Sequence, residues 1–187
     1  IEASIFLAVY LFAIYLWTLP FQDNQIPYGE DDALSHWEIA DSFAQGDRTY
    51  VYLPIFIDYA YGNDNRFKPH TLWYHPPFHT DLAMIASFAN DRMIPIYLTN
   101  AVFASSILIS VFFVIRKLFG FLIAILSSFL LAFSMRDIMP YLWGQWPERF
   151  SYAFIPLILY CFYMYYTTYA KEENKPIYLY LMSVFLA

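Results

Sequence analysis

The stretch "IEASIFLAVYLFAIYLWTLPFQDNQIPYGEDDALSHWEIADSFAQGD", Ile1 to Asp47, sets two unlike segments side by side. Ile1–Leu19 is an apolar run whose only charge is Glu2. A bilayer crossing takes ~20 such residues, so this run reads as a membrane-spanning helix. No basic region precedes it and no small-x-small cleavage site follows it, so a retained span is expected and not a signal peptide. Past "TLPFQDN", the residues from Tyr28 to Asp47 read as a water-facing amphipathic helix opened by Glu30, Asp31 and Asp32. The chain gathers carboxylates where it leaves lipid.

The rest of the sequence continues the membrane pattern. The chain is 60% hydrophobic and only 14% charged, with a mean hydropathy of +0.43. An average soluble domain is about a quarter charged, so a polytopic membrane protein is expected. Further spans are expected at about 94–115, 118–134, 151–170 and 176–187, the last cut short. The expected fold class is therefore all-α: a polytopic transmembrane helical bundle. Residues 1–187 read as one module, the N-terminal part of a longer protein. The lone Cys161 sits in an apolar run and offers no disulfide framework. A net charge of −6 argues against nucleic acid as a partner.

Orientation follows from the basic residues in short loops. Residues 78–90 form an apolar segment too short to cross unaided, and they carry Asp81. If this segment lies flat in the interface, Arg116-Lys117 and the "KEENK" loop fall on the cytoplasmic side. The expectation is a plasma-membrane protein with a cytoplasmic N-terminus and an extracytoplasmic loop 20–93. In that loop carboxylates far outnumber the four basic side chains, Arg48, Arg66, Lys68 and Arg92. Interfacial helices are expected over about 31–45 and 77–90.

Three constellations carry candidate chemistry. On a helix, Ala33, Trp37, Ala40 and Ala44 make an apolar stripe, with Asp32 and His36 stacked one turn apart at its border. Asp31 and Asp32 can cap the helix N-terminus. Three successive acids exceed what one cap needs, and a basic group, a metal ion or a proton would offset their repulsion. Asp31, Asp32 and His36 are the candidate catalytic residues, with Asp31 and Asp32 also possible metal ligands. In "HTLWYHPPFHTDLAMIASF", Pro76-Pro77 starts a helix and brings His75 and His79 to its first turn, where a phosphate can bind. The plainer reading is a rigid turn with surface histidines. In "SMRDIMPYLWGQWPERF", read as an outer loop, Arg136, Arg149, Glu148 and Trp146 form an arginine-and-aromatic group suited to a lipid phosphate. The alternative there is the aromatic and basic fringe common at span ends.

At these residues the chain resembles the GT-C class of polytopic glycosyltransferases, which includes protein O-mannosyltransferases, oligosaccharyltransferase catalytic subunits and arabinosyltransferases. The resemblance rests on "GEDDALSHWEIADSFAQG" after the first span, on "WYHPPFHTDLAMI", and on "VIRKLFG" at a span end. It points to a prokaryotic, notably archaeal, member. The class commonly opens with Asp-Glu where this chain has Asp31-Asp32, closer to the arabinosyltransferase pattern. Family usage favours Asp31 as the catalytic acid, whereas the helical wheel favours Asp32.

The resemblance implies transfer of a sugar from a polyprenyl-phosphate-linked donor to an extracytoplasmic glycan, lipid or protein. A divalent cation, Mg or Mn, serves some members. The alternatives are a polytopic transporter or flippase, and a catalytically silent membrane scaffold of the same fold.

Overall fold

The computed structural model describes residues 1–22, 31–44, 76–89, 93–171, 173 and 175–186. All regular structure among them is helical. In chain order the helices are α1 (Glu2–Gln22), α2 (Asp31–Ala44), α3 (Pro76–Ala86), α4 (Met93–Ser105) and α5 (Ile107–Phe119). They continue as α6 (Phe121–Ala132), α7 (Met135–Leu142), α8 (Trp146–Tyr152), α9 (Ile155–Tyr169) and α10 (Ile177–Leu186).

Three stretches are long and apolar enough to cross a membrane: Glu2–Pro20, Pro95–Phe119 through α4 and α5, and Trp146–Tyr169 through α8 and α9. The 25 residues of Pro95–Phe119 would rise about 37 Å as a helix, against a hydrocarbon core of about 30 Å. Phe121–Ala132 and Met135–Leu142 pass the same test together but are bent by 41°. The chain is thus built as an integral membrane protein.

The break after the second span falls at Gly120, whose φ of 89° an L side chain rarely adopts. Arg116 and Lys117, read from the sequence as a loop, form the last turn of α5. Positive charge is favoured there by the carbonyl end of the helix. Arg116 also forms an ion pair with Glu2 in the first turn of α1.

The chain divides into two compact units, Ile1–Trp17 with Val102–Ile138 and Pro147–Ala187, and Thr18–Ala101 with Met139–Trp146. The first centres on buried Ala13, Leu108 and Ala132, flanked by Tyr10, Ile107 and Leu131. α6 buries Ala124, Ser128 and Ala132, one small residue per turn, and it packs on α5. Small residues let helix backbones approach closely where no hydrophobic force acts between helices. Trp17 Nε1 donates to Ala132 O at 2.9 Å, and the Phe6 and Phe112 rings stack at 4.1 Å. Leu122, Leu126, Leu130, Phe162 and Tyr166 remain exposed, as a lipid-facing surface requires.

In the second unit α2 packs against α3. α3 buries His79, Leu82, Ala83 and Ala86, the spacing of one helical face, and leaves Met84 and Ile85 exposed, as is Phe88 just past its end. α2 buries Ala33, His36, Ile39 and Ala40. This face is rotated from the stripe of Ala33, Trp37, Ala40 and Ala44 expected by hydrophobicity alone. His36 moves inward because its polar partner, His79, lies on the facing helix.

Candidate functional site

Asp31 and Asp32 open α2, so the acid pair lies on the first helical turn after the first span. The Asp32 side chain is exposed, while that of Asp31 lies outside the described residues. The turn between α7 and α8 seats on this same helical turn. Gly144 has φ +96°, and a Cβ on it would stand 2.1 Å from Ala33 N, 2.5 Å from Ala33 Cα and 2.7 Å from Asp32 C. Only glycine permits backbone to meet backbone this closely. The turn is closed by Gln145 N–H donating to Pro140 O at 2.9 Å and Gly144 N–H to Tyr141 O at 3.2 Å. The "WGQW" segment thereby fixes the first turn of α2 from outside that helix.

One turn along α2, His36 Nδ1 and His79 Nε2 share a hydrogen bond of 2.7 Å, with rings stacked at 4.9 Å. His36 is 2% exposed and His79 is fully buried. Phe78 meets His36 edge-on, and the Trp146 ring lies 6.0 Å from it. Trp146 is anchored in turn: its Nε1 donates to Tyr141 O at 2.9 Å, and Tyr97 packs edge-to-face on its ring. Burial, and then the neighbouring His79, pushes the His36 pKa down to about 3. At neutral pH His36 is an uncharged member of a closed hydrogen-bonded pair. The sequence placed it beside Asp32 at the edge of a stripe; the structure places it inside.

The first unit holds a different polar centre. Arg149 Nη1 donates to Asp137 Oδ1 at 2.9 Å, both side chains being largely buried. The guanidinium also lies over the Tyr152 ring, 4.6 Å from its centre. Arg136, Asp137, Arg149 and Tyr152, with Ile107, Ile155 and Pro156, line a pocket of about 510 Å³. Arg149 Nε finds no hydrogen-bond partner among the described residues. Read from the sequence as an outer loop, this segment is instead the helical ends of two candidate spans, with the ion pair joining them. Charges close to lipid are kept affordable by such pairing.

The sequence-derived candidates therefore fall into separate groups. His36, His79 and Trp146 come together in one unit, and Arg136 and Arg149 line one pocket in the other. Glu148 is exposed, and Asp32 is exposed on its own helix. His75 lies outside the described residues, as does the expected loop around it. No group of three or more His, Cys, Asp or Glu side chains converges as a metal site among the described residues. The Asp31 side chain is not among them.

Three residues were missed. Asp137, twelve residues before Arg149, lies on the facing helix end, a placement that spacing along the chain does not reveal. Gly144 was passed over; a glycine between two tryptophans was its signal. Asn100 is 1% exposed and neither amide atom has a partner among the described residues. A single amide in an apolar span was the mark to heed. Comparison of the chain with protein-family models, with curated proteins and with solved structures finds no match to any of them.

Proposed function

We propose that the protein is a membrane glycosyltransferase of the GT-C class, moving a sugar from a polyprenyl-phosphate-linked donor to an acceptor outside the membrane. The observation that carries this reading is the acid-bearing first turn of α2, held by backbone contact with Gly144 directly after the first span. A lipid-linked donor must be met where water and lipid join, and a base for that reaction has to be fixed there.

In this mechanism Asp31 or Asp32 accepts the proton of the acceptor nucleophile, which attacks the anomeric carbon. The bond from that carbon to the phosphate oxygen breaks, and the electron pair leaves with the lipid phosphate. Arginine offsets the charge that develops there. A divalent cation, where one takes part, would be held by Asp31 and Asp32 and would supply further positive charge. The buried, neutral His36 contributes no charge at neutral pH; its part is to hold α2 against α3.

The test replaces Asp31 and Asp32 by Asn, singly and together, and follows membrane insertion alongside sugar transfer from a polyprenyl-phospho-sugar. Normal insertion with transfer abolished in the double variant is the expected result. Undiminished transfer in that variant refutes the proposal.

One observation favours a second reading, a transporter or flippase. The span pair Phe121–Ala132 and Met135–Leu142 is broken by 41°, and Asp137 in its second half is paired and buried. Broken helices and buried ion pairs are recurrent parts of transport paths. In that case movement of a lipid-linked sugar across vesicles would survive the loss of both acids and fail when Asp137 is replaced.

A further inference from the structure

The pocket between the ends of α7 and α9 has unequal charges on its walls. Arg136 and Arg149 bring two positive charges and Asp137 one negative, so the lining carries a net charge of +1. Arg149 is 8% exposed and already committed to Asp137 at 2.9 Å, and its Nε is buried without a partner among the described residues. Arg136 is exposed and makes no ion pair among those residues. Ile155 and Pro156 add an apolar wall and belong to the first turn of α9, whose end carries partial positive charge.

We propose that this pocket takes a singly charged phosphate diester bearing an apolar arm, in preference to a pyrophosphate. The inference rests on the sugar-transfer reading for the source of that group, and it narrows the donor to a monophosphate-linked sugar. One anionic phosphate balances the net charge of the walls. Its oxygens can meet Arg136 and the part of the Arg149 guanidinium that lines the pocket, as planar guanidinium groups do with phosphate. A second phosphate would bring further negative charge against the Asp137 carboxylate, with no cation left to pair it. The apolar arm suits the wall of Ile107, Ile155 and Pro156.

The experiment measures binding, by titration calorimetry, to the purified protein in nanodiscs of zwitterionic lipid. The probes are a short-chain prenyl monophosphate sugar, its pyrophosphate counterpart, phosphatidylglycerol and inorganic phosphate. The monophosphate sugar should bind about tenfold tighter than the pyrophosphate form, and Arg136→Gln should weaken it by about tenfold, the size of one charge-assisted hydrogen bond. Asp137→Asn should narrow or reverse the preference. Because that variant strands a buried arginine, Arg136→Gln, altering an exposed side chain, carries the test if Asp137→Asn fails to fold.

Equal or tighter pyrophosphate binding overturns the proposal, as does full competition by inorganic phosphate. Phosphatidylglycerol binding as tightly as the prenyl sugar makes the site a general headgroup site and overturns the donor assignment. Binding is read without transfer, so the two proposals fail separately. A retained monophosphate preference with undiminished transfer in the acid variants sinks only the catalytic reading.

Discussion

Lowering the pH from about 7.5 to about 5 should loosen the packing of α2 on α3 through His36, and the size of the effect can be worked from burial. The His36 pKa is pushed from 6.5 down to about 3, first by burial and then by His79. In a state where α2 has come away, the imidazole meets water and regains its ordinary pKa. Below 6.5 the loosened state therefore binds the proton that the packed state refuses. Packing is unaffected above 6.5, and it weakens as pH falls from 6.5 toward 3. Each pH unit in that window costs about 1.4 kcal/mol, so the packed state loses about 2 kcal/mol at pH 5.

The penalty arises from burying charge, because a protonated pair can still keep one N–H···N hydrogen bond by moving the other proton. Hydrogen exchange of the α2 and α3 amides, corrected for intrinsic rate, should show protection falling by roughly thirtyfold between the two pH values. His36→Phe, which keeps a ring between Phe78 and Trp146, should flatten the dependence. Protection that stays constant down to pH 5, or that falls equally in His36→Phe, refutes the assignment.

Gly144→Ala drives a methyl group into the backbone at Ala33 and Asp32 and strains a φ of +96°. It should cost several kcal/mol of the order seen for overpacking plus strain, roughly 2–5, and abolish sugar transfer although both acids remain, as thermal melting and a transfer assay would show. Arg149→Met leaves Asp137 buried without its cation and should destabilise by about 3–5 kcal/mol, while the double change with Asp137→Leu should recover most of that loss in a melting experiment. Cysteines placed at Asn63 and Asn174 should react with an impermeant reagent from opposite sides of the membrane. Labelling from one side would mean that residues 78–90 cross the bilayer.

What could be read from the sequence was what composition and period control. Long apolar runs impose helices in lipid, because backbone groups there must bond within their own segment. The proline pair at Pro76-Pro77 marked the start of α3 for the same local reason, a preset φ with no N–H to satisfy. The boundaries were harder. Arg116-Lys117 looked like a loop because charge is commonly excluded from spans, yet a helix C-terminus welcomes it and Gly120 supplies the stop. The partners were not legible at all. Nothing local says that His36 turns inward to meet His79, 43 residues away, or that Gly144 rests on Ala33. Both depend on long-range packing, and a hydrophobic wheel, which ranks by polarity, leaves His36 at the border of the apolar stripe.

The two polar centres differ in a way that bears on where chemistry can occur. In the pair of His36 and His79 the facing nitrogens satisfy one another, aromatic rings cover the imidazoles, and His36 carries no charge at neutral pH. Such a centre is closed. It specifies how two helices meet. The group around Arg149 is arranged otherwise. Its ion pair uses one edge of the guanidinium, Nε is left without a partner among the described residues, and a cavity lined by a second arginine adjoins it. A buried donor without an acceptor costs about 1–3 kcal/mol, a cost the fold could remove with a serine or a backbone carbonyl. If the pocket takes a phosphate, the histidines serve as the scaffold and the arginines as the contact surface, the reverse of what titration ranges alone would favour.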